Sequence, residues 1–169
     1  NEKIKLSYVK KNYIKKFLII GRFSAEKRID YAIDYLCNQS LDNSIILVSE
    51  IEKEIILSNP NLKKVKIYSS YNNLPKLNIN ETILLNFSLV ESFSLVIGEW
   101  LQVGGLVFST KKSACNSIWT KYKGFHKFQE NRNFKDQVDT LNIKKLSDKR
   151  LPFKGKEILK YKEEFLNLI

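Results

Sequence analysis

Apolar residues fall along this chain in two alternating patterns. Short apolar runs occupy residues 17–21 (FLIIG), 44–49 (SIILVS), 65–68 (VKIY), 82–87 (TILLNF) and 106–109 (LVFS). Runs of this length are what strands buried on both faces show. Between them the period changes. Ile29, Ala32, Ile33, Leu36 and Cys37 recur at i, i+3, i+4, i+7 and i+8, which predicts a helix with Asp30 and Asp34 facing outward. Residues 52–57 predict a short helix that stops before Asn59-Pro60, and 94–103 predict a helix apolar nearly all round. Residues 134–141 and 155–169 predict surface helices, the last with a stripe of Ile158, Tyr161, Phe165 and Ile169. Short apolar strands alternating with helices predict an α/β domain of doubly wound type, a mostly parallel sheet with helices on both faces. Residues 1–16 are polar and lysine-rich and read as a linker or edge segment, with the domain proper at 17–169. In such sheets ligands bind at the carboxyl ends of the strands. The loops that follow Gly21, Ser49, Tyr68, Phe87 and Ser109 are therefore the candidate sites.

Composition narrows the classes. At 169 residues, 43% hydrophobic and 28% charged, the chain can bury a sizeable core, which excludes disordered and small disulfide-scaffold proteins. Residues 82–110 carry few charges but too much Ser, Gly, Asn and Gln for a membrane span. Cys37 and Cys115 lie in no C-x-x-C, so neither a disulfide framework nor a zinc ribbon is expected, and a reducing, cytoplasmic setting is. No leader pattern opens the sequence; the absence of methionine and the Asn at position 1 predict an excerpt from a longer protein. The net charge of +11 comes from 25 lysines against 4 arginines. Codon bias toward A·T accounts for it, since Ile (19) and Asn (16) are also abundant, and so does an anionic partner. The lysines are scattered in pairs rather than gathered on one helix, so nucleic acid is not the expected partner, while peripheral contact with an anionic membrane stays open.

Two regions could carry chemistry. The first loop reads Gly21-Arg22-Phe23-Ser24-Ala25-Glu26-Lys27 and joins a buried strand to an amphipathic helix. A helix N-terminus favours anions, and Arg22 and Lys27 would add two cations to it, a combination suited to pyrophosphate. The spacing is neither that of a Walker loop nor that of a dinucleotide fingerprint. The second region, 82–110, holds only two formal charges in 29 residues, Glu91 and Glu99. A helix there would carry Glu99 among Leu95, Val96, Ile97, Trp100 and Leu101, and a carboxylate so placed needs a partner. Its two oxygens suit a vicinal diol of a sugar, while pairing with a lysine is the plain structural alternative. Glu91 precedes a candidate helix cap at Ser92 or Ser94. The single histidine, His126, cannot build a zinc site alone, and Trp100 and Trp119 read as core residues. Sequons begin at Asn38, Asn80 and Asn86, without a secretory leader to support their use.

The G-R-x-x-x-E-K loop and the later E-S-F-S-L-V-I-G-E, about 70 residues apart, resemble the C-terminal, donor-binding half of retaining GT-B glycosyltransferases of the large family 4 (group 1) type, which includes many bacterial polysaccharide and lipopolysaccharide enzymes. The resemblance covers residues 17–110 and implies a Rossmann-like domain that binds a nucleotide-sugar such as a UDP- or GDP-sugar, with no metal expected. It implies that Arg22 and Lys27 hold the donor diphosphate and that Glu91 contacts sugar hydroxyls. Backbone amides of Phe93, Ser94 and Leu95 would approach the ligand, and Glu99 would take the ribose hydroxyls. The acceptor would be a glycan or lipid-linked acceptor, and the fragment would need its missing N-terminal domain to turn over. Several positions depart from the family pattern: Ser92 and Ser94 stand where glycine is usual, Ser49-Glu50 replaces a G-x-G, Leu106 replaces a proline, and Lys111-Lys112-Ser113-Ala114-Cys115 replaces a G-x-x-E. The competing reading is a non-enzymatic α/β interaction module, a degenerate glycosyltransferase-like scaffold.

Overall fold

The computed structural model describes residues 14–145, apart from Ser40 and Ser92. Six strands form one sheet: β1 (Lys16–Ile20), β2 (Ser44–Val48), β3 (Lys66–Tyr68), β4 (Thr82–Asn86), β5 (Leu106–Thr110) and β6 (Phe125–Phe128). They lie in the order β3-β2-β1-β4-β5-β6, and every neighbouring pair is parallel. The helices are α1 (Ile29–Cys37), α2 (Lys53–Ser58), α3 (Leu95–Gln102), α4 (Asn116–Trp119) and α5 (Phe134–Lys145). The chain runs outward from β1 to one edge, then returns to β4 and runs to the other. The direction reverses between β1 and β4, which makes their carboxyl ends the topological switch point.

Side-chain alternation explains why both faces are covered. Phe17, Ile19, Leu47, Ile83, Leu85 and Phe108 point to one face and pack against Ile29, Ala32, Ile33 and Leu36 of α1 and Phe134, Val138 and Leu141 of α5. Their sequence neighbours Leu18, Ile46, Val48, Leu84 and Val107 point to the other, against Ile97 and Leu101 of α3 and Cys115 and Trp119 of α4. A strand with apolar residues at both parities must be sandwiched, and β4 and β5 are buried at all five positions. Asp30 and Asp34 face outward on α1 as the periodicity requires.

The structure departs from the sequence reading at four places. A sixth strand, β6, completes the sheet, and its apolar residues Phe125 and Phe128 are buried while the intervening Lys127 is exposed. The short helix α4 precedes it. Helix α5 is anchored more deeply than the sequence showed: Lys135, Asp136, Asp139 and Thr140 are exposed, but Phe134, Val138 and Leu141 fall at i, i+4 and i+7 and enter the core, where the Phe134 ring meets those of Phe17, Tyr35 and Phe128. Helix α3 is two-sided, with Ile97, Gly98 and Leu101 inward and Leu95, Glu99 and Val103 exposed at i, i+4 and i+8 along its outer side. At the start, Ile14 is buried in the core and Lys16 opens β1; residues 1–13 and the helix expected at 155–169 lie outside the described residues. Among the described residues no helix is long and apolar enough to cross a membrane, and Cys37 and Cys115 are free thiols.

Candidate functional site

The loops after β1 and β4 meet at the switch point. The Lys27 ammonium lies 2.8 Å from the Glu91 carboxylate, with the two side chains 23% and 16% exposed. Beside them the Ser88 hydroxyl donates to the Glu26 carbonyl at 3.1 Å, so the two loops are joined through backbone as well as charge. With Lys27 and Glu91, the residues Gly21, Asn86, Ser88 and Ser94 line a hollow of about 70 Å³ whose remaining walls are apolar side chains of the strands and helices around it. It has room for a few waters and lies well below the roughly 300–1,000 Å³ of a closed small-molecule pocket. A ligand here would lie across its open mouth.

Two helices begin at this hollow, and both begin in the same unusual way. Arg28, before α1, has φ 52°, and Ser94, before α3, has φ 49°. The left-handed region is one that glycine occupies freely and other residues occupy at a cost. A glycine in place of Ser94 would hold this conformation without that cost. Ser94 is buried, and neither residue makes a side-chain cap, so the first N–H groups of each helix are left for other partners.

Arg28 is held by a network that reaches across the sheet. Its two terminal nitrogens donate to the two oxygens of Glu130 at 3.1 and 3.2 Å, and the guanidinium lies 3.9 Å above the Tyr31 ring. The Tyr31 hydroxyl donates to Glu130 at 2.9 Å, and Thr110, the last residue of β5, donates to it as well. Burial alone would raise the Glu130 pKa; the hydrogen bonds from Arg28, Thr110 and Tyr31 and the Arg28 charge outweigh it and bring it down to about 2.

Further bracing comes from below. Asn86, at the end of β4, donates to the Ser109 and Ser113 hydroxyls at 3.0 and 3.2 Å and accepts from the Ser88 amide, fixing the start of the Glu91 loop. The Trp119 indole donates to the Phe93 carbonyl at 3.1 Å, its ring 5.1 Å from that of Phe93. Trp100 donates to the Leu106 carbonyl at 2.9 Å, and a Cβ on Gly105 would collide with its indole. Both tryptophans are therefore framework residues, as expected from the sequence. His126 sits half-buried on β6.

Of the residues singled out by sequence, the structure brings together Lys27, Glu91 and Ser94 and sets Phe93 on the propped turn between them. Arg22 stands apart, 85% exposed and 3.6 Å from Glu26. Leu95 and Glu99 face outward on α3, so the expectation that Glu99 is embedded among apolar neighbours is corrected: of those neighbours Ile97 and Leu101 point into the core on the other side of the helix, while Leu95 is exposed beside Glu99. The sequence reading missed Asn86, Ser88 and the Arg28–Glu130 pair. Asn86 had a signal, a polar residue ending an apolar strand at the functional edge of the sheet. Arg28 and Glu130 are too far apart in sequence for any local pattern to join them. Among the described residues no group of three or more His, Cys, Asp or Glu could hold a metal ion.

No protein-family model matches the chain, and no curated protein matches it. Its fold does match solved structures. Anabaena Alr3699/HepE in complex with UDP matches at 18% identity and TM-score 0.61, over 94% of this chain and 50% of that one. The lipopolysaccharide outer core galactosyltransferase WaaB, in its apo form, matches at 20% identity and TM-score 0.56, over 75% of this chain and 39% of that one. The catalytic domain of the cholesterol-alpha-glucosyltransferase from Helicobacter pylori matches at 19% and 0.54, over 92% and 99%. The chain thus has the Rossmann-like fold of one domain of a GT-B glycosyltransferase, and it spans under half the length of WaaB.

Proposed function

We propose that this chain is the nucleotide-sugar-binding domain of a retaining glycosyltransferase, which transfers a sugar to a glycan or lipid-linked acceptor. The observation that carries the reading is the contact between Lys27 and Glu91 at the switch point, one from each resembled motif. In this reading Lys27 turns to the donor diphosphate and Glu91 accepts hydrogen bonds from sugar hydroxyls, so that the bound donor parts the pair seen here. Arg22 is free to join Lys27, because its contact with Glu26 is long and solvent-exposed, the kind worth at most ~1 kcal/mol. The backbone amides at Phe93, Ser94 and Leu95, opening α3, approach phosphate or sugar. Glu99, one turn further along the exposed side of α3, takes the ribose hydroxyls. Departure of a nucleoside diphosphate builds negative charge on the leaving oxygen, and the two cations, Lys27 and Arg22, would stabilise that charge without a metal. Solved structures sharing this fold include Anabaena Alr3699/HepE in complex with UDP and with UDP-glucose, which supports a uridine nucleotide as the first ligand to try.

The small hollow supports a division of labour: this domain offers one wall of a cleft, and acceptor binding and turnover belong to a partner domain of the parent protein. The parent would work in the cytoplasm, with its excess of lysine available to an anionic inner membrane face. Calorimetric titration of the folded chain with UDP, GDP and their sugars tests the reading. Saturable binding that Lys27→Ala and Glu91→Ala each weaken at least about tenfold is expected; a folded chain that binds none of them refutes it. The scaffold reading draws on one observation, that Lys27 and Glu91 already neutralise each other, and it predicts that second outcome.

A further inference from the structure

A second recess, of about 460 Å³, opens at the same end of the sheet beyond β5 and β6. Lys111 and Lys112 stand on one wall, Gln129 and Asn131 on the other, and Tyr31 and Glu130 contribute to the lining. We infer that this recess is an anion site that takes a phosphate-bearing group, a phosphomonoester or phosphodiester attached to a polar body, separate from the donor site at Lys27 and Glu91.

The charges come first. Both lysines are exposed, and neither lies within 4.0 Å of an acidic group among the described residues. The one carboxylate in the recess, Glu130, has its oxygens occupied by Arg28, Tyr31 and Thr110, and the Arg28 charge offsets its own. What the recess presents to a ligand is therefore the two ammonium groups, six N–H donors in all, joined by the amide groups of Gln129 and Asn131. That set matches the several oxygens of a phosphate group, about −2 in charge as a monoester and about −1 as a diester, better than it matches a single carboxylate.

Rigidity distinguishes the arrangement from loose surface lysines. The Lys111 amide donates to the Phe128 carbonyl at 2.8 Å, which fixes it at the end of the sheet. The turn closes with the Ser113 amide on the Thr110 carbonyl at 3.1 Å. Asn116, buried beneath, donates to the Thr110 and Lys111 carbonyls at 2.9 and 3.1 Å. The opposite wall is braced in the same way: Gln137 accepts from the Gln129 amide at 2.9 Å and donates to its carbonyl at 3.0 Å. These amides fix the backbone from which the two lysines project, so a ligand need order only their side chains. The volume falls in the range of roughly 300–1,000 Å³ that small-molecule sites occupy, more than a bare phosphate fills.

The phosphate could come from a soluble metabolite or from a lipid headgroup, and two assays separate the sources. One is calorimetric titration with glycerol 1-phosphate; the other is co-sedimentation with phosphatidylglycerol vesicles against phosphatidylcholine vesicles. Each uses the wild type, the double variant K111Q/K112Q and the charge-matched control K63Q/K64Q, whose lysines lie beside the opposite edge strand, β3. The expected result is that K111Q/K112Q loses about tenfold in affinity in at least one assay while the control matches the wild type. A loss in titration points to a soluble ligand and a loss in sedimentation alone to a headgroup. Equal losses in both double variants would show general attraction by net charge, and that result, or no binding by the wild type in either assay, overturns the inference. UDP titration of K111Q/K112Q keeps the two sites distinct, because the donor reading can fail there while the phosphate result stands.

Discussion

Arg28 and Ser94 hold the same left-handed backbone conformation at equivalent places, each immediately before the helix that follows one of the two central strands, β1 and β4. The two are held there by different means. Arg28 is tied by both guanidinium nitrogens to Glu130. Ser94 has no side-chain cap and is held by its burial at the hollow.

That difference predicts opposite outcomes for the same substitution. Ser94→Gly relieves a left-handed residue of its Cβ and should stabilise the chain by about 1 kcal/mol. Arg28→Gly gives the same relief but leaves the mostly buried Glu130 without its charge partner, and should destabilise by ~2 kcal/mol. Urea denaturation of the two variants beside the wild type reads both signs. If the donor reading holds, Ser94→Gly also binds UDP-sugar at least as tightly as the wild type, since backbone rather than side chain approaches the ligand.

Stability should fall in acid through Glu130. Its folded pKa, about 2, lies below that of an unfolded glutamate, so its contribution is whole above pH ~4.5 and drains away as pH falls toward 2. The side chain is 9% exposed, and the shift corresponds to about 3 kcal/mol. Glu130→Gln should be less stable than the wild type at neutral pH, and the gap should close between pH 5 and pH 2. Chemical denaturation at pH 7, 5, 3.5 and 2.5 checks it; a gap independent of pH would contradict the assignment.

Gly105 is required by the indole beside it. Gly105→Ala drives a methyl into Trp100 and disturbs its hydrogen bond to Leu106, an overpacking that should cost about 1–3 kcal/mol. Combining Gly105→Ala with Trp100→Leu should cost less than the sum of the two single changes, because the collision is removed. Thermal melts of the three variants measure the coupling.

Glu99 separates ligand binding from folding. It is exposed on α3, so Glu99→Ala should move stability by no more than ~0.5 kcal/mol. Under the proposed function it should nonetheless weaken UDP binding several-fold, and an unchanged titration would remove Glu99 from the site.

Much of this architecture was legible in residue order. The runs at 17–21, 44–49 and 82–87 have apolar residues at both parities, and only a sheet covered on both faces accepts them. Helix α1 followed from its spacing alone. That the first loop and the Glu91 loop both leave carboxyl ends of strands was legible too, but that β1 and β4 are neighbours, which brings Lys27 to Glu91, comes from the sheet order. Other features were hidden for identifiable reasons. Strand β6 lies in a segment thick with lysine and aromatic residues, where only Phe125 and Phe128 are buried and the intervening charge masks the pattern. Glu99 was misplaced because a helix with apolar residues on most positions does not announce which side meets solvent; Leu95 and Val103 are exposed with it. The Arg28–Glu130 pair depends on the sheet bringing β6 round to α1, a relationship of topology rather than of neighbours in the chain.

The margins of the sheet have a consequence for how the molecule behaves in crowded solution. Strand β3 is three residues long and β6 four, and each carries an outward lysine, Lys66 and Lys127. Such stubs leave little unpaired backbone for a stranger to zip onto, and charge repels a like copy. A long parallel sheet interior, greasy enough to seed fibrils if laid bare, is thereby sealed at both rims, so concentrated samples should remain dispersed for as long as the native state persists.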